Sequence, residues 1–74
     1  IGRADEIYEK ERAIYVFELK VDKSADEALR QIKEKGYADK YMERARKEGK
    51  RIILIGVDFS SEERRITDYR EEIL

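Results

Sequence analysis

Ile14-Tyr15-Val16-Phe17-Glu18-Leu19-Lys20 is the stretch that decides the fold. A β-branched and aromatic run that ends in charged residues reads as a buried strand whose last turns reach a polar rim. Alternation along a strand puts Glu18 and Lys20 on one face, a carboxylate and an ammonium two residues apart. One hairpin earlier, Arg3 to Glu9 reads as a short strand, joined through Lys10-Glu11-Arg12 without an Asn-Gly or Gly turn signal. The simplest even-length loop, centred on Glu11-Arg12, pairs residue 5 with 18 and 7 with 16. Asp5, Ile7, Val16 and Glu18 then share a face. Asp5, Glu18 and Lys20 together would hold a divalent metal and position a water.

Downstream, Ser24-Ala25-Asp26-Glu27 is a capping-box pattern that opens a helix. Ala25, Ala28, Leu29 and Ile32 carry its apolar stripe to Gly36. Ala38 to Glu48 continues as helix, with Tyr41, Met42 and Ala45 on one stripe and a stop at Gly49. The two stretches form one helical arm with a break or kink at Gly36-Tyr37. Arg51 to Phe59 is the clearest strand: Ile52 and Leu54 point one way, and Ile53, Ile55, Val57 and Phe59 the other. After the polar turn Ser60-Ser61-Glu62-Glu63, Arg64 to about Arg70 returns as a charged antiparallel edge strand. Strand, helical crossover, strand makes 13–21 and 51–59 parallel. Both are apolar on both faces, the mark of a sheet covered on both sides, yet one helical arm covers only one.

The 74 residues hold one small domain. With no histidine and no cysteine there is no disulfide, and any metal must take oxygen ligands, which favours magnesium, manganese or calcium over zinc. The 17 basic and 18 acidic residues nearly cancel, so net charge does not steer the chain toward nucleic acid. Charged residues make up 47% of the chain, a style shared by thermophile and engineered sequences. No apolar run approaches the roughly 20 residues that span a bilayer, and no signal peptide is evident, so a cytoplasmic protein is expected.

Gly2-Arg3-Ala4-Asp5 and Tyr15-Val16-Phe17-Glu18-Leu19-Lys20 resemble the two acidic motifs of the PD-(D/E)XK nuclease superfamily. Within it, the chain looks like the nuclease-like domain found C-terminal to AAA-ATPase-like domains in prokaryotes. Ser24-Ala25-Asp26-Glu27-Ala28-Leu29, the block from Gln31 to Ala38 and the block from Ile53 to Ser61 are similar to that domain too. The resemblance implies an α+β, restriction-endonuclease-like core: a mixed sheet of about four strands here, in the order β-β-α(α)-β-β. The family's first helix and first strand are lacking, so residues 1–74 are expected to be a single nuclease-like domain, incomplete at the N-terminus.

By the same resemblance Asp5 and Glu18 are metal ligands for Mg²⁺ or Mn²⁺, with the Leu19 backbone carbonyl as a third. Lys20 positions the attacking water, and Gln31 and Tyr37 are auxiliary polar residues beside the site. The implied function is metal-dependent hydrolysis of phosphodiester bonds in DNA. The alternative is an inactive, fold-retaining fragment or engineered minimal domain that acts as a dimerising structural module. A homodimer covering the open sheet face is expected on either reading.

Other features have plainer readings. Tyr8, Tyr15, Tyr37 and Tyr41 read as packing residues rather than base-stacking platforms, with Tyr15 under the helical arm. The basic cluster Arg44, Arg46, Lys47, Lys50 and Arg51 is interleaved with Glu43 and Glu48 and lies where a helix C-terminus favours cations. Ion pairing therefore accounts for it better than phosphate binding does.

Overall fold

The computed structural model describes residues 6–74. Strand β1 (Glu6–Glu9) turns into β2 (Ala13–Val21), helices α1 (Ala25–Lys35) and α2 (Asp39–Glu48) follow, and β3 (Arg51–Ser60) and β4 (Arg65–Ile73) close the chain. The sheet order is β1-β2-β3-β4, with β2 and β3 parallel and the two outer pairs antiparallel. This is the mixed α+β sheet that the sequence implied.

The β1–β2 register follows from its turn. Lys10 N–H donates to Ala13 O at 2.8 Å and Ala13 N–H to Lys10 O at 3.4 Å, which leaves Glu11 and Arg12 as a two-residue loop. Neither has a positive φ, so the turn avoids the mirror-image types that demand Gly or Asn. Ile7 then pairs with Val16, as expected, and Glu6 with Phe17. The expected pairing of Asp5 with Glu18 lies outside the described residues.

The helical arm is two helices rather than one bent rod. Ser24 Oγ accepts the Glu27 N–H at 3.0 Å and starts α1. Gly36, at φ 67°, ends it in the left-handed region, where a glycine carries no Cβ penalty. Tyr37 N–H reaches back to Ile32 O at 3.2 Å, and the chain re-enters helix at Asp39. Met42, expected beside Tyr41 and Ala45, is exposed, while Ala45 is buried.

Two apolar clusters sit on opposite faces of the sheet, as the two-faced strands require. Ile14, Val16, Ile52 and Leu54 pack under Leu29 and Ile32 of α1 and Ala45 of α2. On the other face Ala13, Ile53 and Ile55 pack with Tyr15, Phe17 and Val57, and neither helix contributes there. Tyr15 is therefore not under the helical arm. Its side chain has the parity of Ala13 and Phe17, and alternation sends it to the face away from the helices. The strand β4 runs further than expected, through Ile73, and its Tyr69 and Ile73 are 53% exposed on that open face.

Candidate functional site

Strand parity sets the site. Val16 is fully buried beneath the helices, so Glu18 and Lys20, two and four residues on, face the same side. Glu18 is only 4% exposed, and a buried carboxylate is costly unless it is hydrogen-bonded. Gln31, one turn beyond Ala28 on α1, supplies the bond: its Nε2 donates to Glu18 Oε2 at 2.8 Å. Lys20 Nζ donates to the Oε1 of the same amide. Tyr37, 6% exposed, places its hydroxyl 3.3 Å from Gln31 Nε2 as a further acceptor.

An amide suits that middle position. The ammonium of Lys20 has donors alone and the carboxylate of Glu18 acceptors alone, whereas an amide both donates and accepts. The result is a chain Lys20–Gln31–Glu18 in which the two charges are held one side chain apart instead of collapsing into an ion pair. The carboxylate of Glu18 is of the charge that attracts a cation, and the ammonium of Lys20 of the charge that attracts an anion. That is the electrostatic division a phosphodiester site requires.

The structure thus brings together Glu18, Lys20, Gln31 and Tyr37. Asp5 lies outside the described residues, and alternation sends the Leu19 side chain to the open face. Among the described residues no three acidic side chains gather into a metal-binding group. What is present nonetheless suits a hard cation: the site offers a buried carboxylate oxygen, and the chain has no cysteine or histidine to compete.

Asp58 was missed from sequence. It is 5% exposed on β3, opposite Lys20 in the parallel ladder, and its Oδ1 accepts the Lys23 N–H at 2.8 Å. Asp68 on β4 faces Asp58 and accepts the Ala25 N–H at 2.8 Å. Parity was the available signal, because Asp58 shares the face of Ile52 and Leu54.

Three residues of the basic cluster, Arg44, Lys47 and Lys50, are engaged in ion pairs. Arg44 and Lys50 both bind Glu9, at 2.7 and 2.5 Å, and Lys47 sits 3.8 Å from Glu43. These bonds hold the Glu9 carboxyl below its ordinary range, Lys50 contributing first and Arg44 next. A shallow depression of about 260 Å³ beside this cluster, between Met42, Arg46, Arg51 and Leu74, contains none of the site residues.

Comparison with known proteins agrees with this geometry. The family model described as the PD-(D/E)XK nuclease superfamily matches residues 1–69. A protein of Azotobacter chroococcum mcd 1, described as "Uncharacterized protein in vnfD 5'region", is 48% identical over 63 residues. The match covers 82% of this chain and 11% of that protein, so the chain spans about a tenth of the relative's length. No solved structure matches. The family match over nearly the whole chain, with the charged pair on its expected strand, places the chain in the PD-(D/E)XK nuclease superfamily.

Proposed function

We propose that this chain is a metal-dependent phosphodiesterase module acting on DNA. The observation that carries the reading is the amide-bridged pair, Glu18 and Lys20, on the helix-covered face of β2. Glu18 is a metal ligand, with the Leu19 carbonyl beside it. Asp5 supplies the second carboxylate. Its support is the resemblance of Gly2-Arg3-Ala4-Asp5 to the family's first acidic motif, within the matched residues 1–69. A bound Mg²⁺ or Mn²⁺ would offset the developing phosphate charge and lower the pKa of a coordinated water. Lys20 orients that water by hydrogen bonding and holds the scissile phosphate by its charge. Gln31 fixes both partners, and Tyr37 fixes Gln31.

The test is cleavage of plasmid DNA with Mn²⁺, run beside titration calorimetry of the metal. Glu18→Ala should abolish both cleavage and metal uptake, and Lys20→Ala should abolish cleavage while leaving metal uptake. Cleavage that survives Glu18→Ala refutes the assignment.

A second reading rests on a different observation, the open face with its exposed Tyr69 and Ile73 beside Tyr15 and Phe17. We propose that a second copy of the chain covers it, as an isologous sandwich of two sheets. Four strands at about 4.8 Å spacing and about eight residues of about 3.3 Å give a face of roughly 500 Å². Two such faces approach the roughly 1,000 Å² total that separates specific interfaces from incidental contacts. If no nuclease activity is found, this dimeric module is the alternative function. Sedimentation equilibrium should give twice the chain mass, and Tyr69→Lys should return it to a monomer. A folded monomer at micromolar wild-type concentration refutes the dimer.

A further inference from the structure

The segment 22–25 joins the strand of Lys20 to the helix of Gln31, and its backbone is tied down on both sides. Asp22 N–H donates to Phe59 O at 2.9 Å. The Asp22 carboxylate, on a residue with φ 57°, accepts Ser61 N–H at 2.9 Å and Ser61 Oγ–H at 2.5 Å. Lys23 N–H goes to Asp58 and Ala25 N–H to Asp68, each at 2.8 Å. Of these carboxylates only Asp58 is buried. A buried carboxylate in an otherwise apolar strand needs a reason. Valine or isoleucine would suit the sheet and avoid the desolvation cost.

Asp58 also has a particular place. It is the ladder partner of Lys20 and lies two residues past Gly56, the partner of Glu18. At Gly56 α1 comes so close that a Cβ would lie 2.5 Å from Ala25 O. The strand β3 therefore seats α1 at one point, Gly56, and aims the chain that enters it at another, Asp58. The angle of α1 about that contact decides whether Gln31 lands between Glu18 and Lys20.

We propose that Asp58 is a positioning residue of the site. By holding Lys23 N–H it sets the exit of β2 and the approach of α1, and through them the Lys20–Gln31–Glu18 chain. The inference rests on the site assignment above but not on turnover. Its readout belongs to the metal-free chain.

The test follows the Gln31 side-chain NH₂ signals in ¹H–¹⁵N spectra, assigned with Gln31→Ala. Held by Glu18 and Tyr37, they should lie away from the free-glutamine position and exchange slowly with water. Asp58→Asn keeps a carbonyl acceptor for Lys23 N–H and should leave the signals in place. Asp58→Ala should collapse them onto the free-glutamine position while the sheet amides stay dispersed. Ile52→Val, a comparable loss of stability away from the segment, should lower the melting temperature without moving them. The proposal is overturned if Asp58→Asn collapses the signals, if folded Asp58→Ala leaves them unchanged, or if Ile52→Val moves them as much. Should the alanine variant not fold, Asp58→Ser, a polar residue whose shorter side chain does not reach Lys23 N–H, replaces it under the same criterion. Absence of DNA cleavage would refute the nuclease reading and leave this result standing.

Discussion

Among the described glycines, Gly56 is the one where an added methyl group meets the most helix backbone. The new Cβ would lie 2.5 Å from Ala25 O, 3.0 Å from Ala28 Cβ and 3.1 Å from Leu29 N. Two of those atoms are helix backbone, so no side-chain rotation relieves the clash. The helix itself must retreat. Overpacking of this kind costs about 1–3 kcal/mol. Retreat of α1 also stretches the Asp68–Ala25 and Asp58–Lys23 hydrogen bonds, at about 1 kcal/mol each if lost. Alanine returns about 0.5–1 kcal/mol through a less flexible unfolded chain. The net is a loss of about 2–4 kcal/mol, against a total near 4–11 kcal/mol for a domain of this size. At about 4–8 °C per kcal/mol the melting temperature should fall by at least about 8 °C. Gly49→Ala is the control: it has φ 68° and open space around its Cβ, so it should cost only the left-handed penalty of about 1–2 kcal/mol. Thermal and urea unfolding followed by far-UV circular dichroism measures both. A Gly56→Ala protein within about 0.5 kcal/mol of wild type would show that α1 does not sit on this glycine, and with it would fall the seat assigned to Gln31.

Ser24→Ala removes the side-chain acceptor of Glu27 N–H and should cost about 1 kcal/mol in urea unfolding, most of it recovered by Ser24→Asp. Gln31→Glu sets a second carboxylate against buried Glu18, and a fall in stability that is steeper at pH 7 than at pH 4 is expected; equal losses at both would contradict the contact. The Glu9 carboxyl is held below its ordinary value of 4.5 by Lys50 and Arg44. A carboxyl depressed by folding stabilises above its unfolded pKa, and that contribution is lost as pH falls through the folded value. Glu9→Gln should therefore flatten the stability profile below about pH 4.5 and leave its slope unchanged above, with a smaller difference in high salt. Identical acid limbs for the two proteins would show that the pairing of Glu9 does not persist in solution.

Much of this arrangement was legible because period-two alternation is a rigid rule. Once Val16 is assigned to the core, Glu18 and Lys20 must follow it onto the same face, and the two-residue loop at Glu11-Arg12 fixes Ile7 opposite Val16. What alternation does not give is which of two apolar faces a helix covers. Tyr15 was for that reason expected on the wrong one. Gln31 was marked by the family resemblance and not by its spacing, although it lies three positions after Ala28 and beside Ile32, at the margin of the buried stripe. Asp58 left less trace, because its partner is the backbone N–H of Lys23 and carries no residue signature. The strand β4 outran its expected end at Arg70 because Glu71 and Glu72 look unlike strand residues. Glu72 is in fact held by Lys33 of α1 at 2.6 Å, which lets a charged residue sit on a paired edge strand.

The same alternation makes the two functional readings separable by experiment. On β2, Glu18 and Lys20 face the helices while Phe17 and Leu19 face the open side, so one strand serves both the candidate site and the candidate interface. A substitution on either parity reaches the other only through the backbone, which the β3 ladder holds from Ala13 to Val21. Tyr69→Lys should then abolish the dimer and leave the Gln31 signals and metal uptake unchanged. Glu18→Ala should abolish metal uptake and leave the sedimenting mass unchanged. Were Tyr69→Lys to disturb the Gln31 amide as well, the open face would have to be part of what holds the site together. A lone chain would then lack a formed site, and activity should rise with the square of protein concentration below the dimer dissociation constant instead of in proportion to it. Dilution series of the wild-type chain distinguish the two without any substitution.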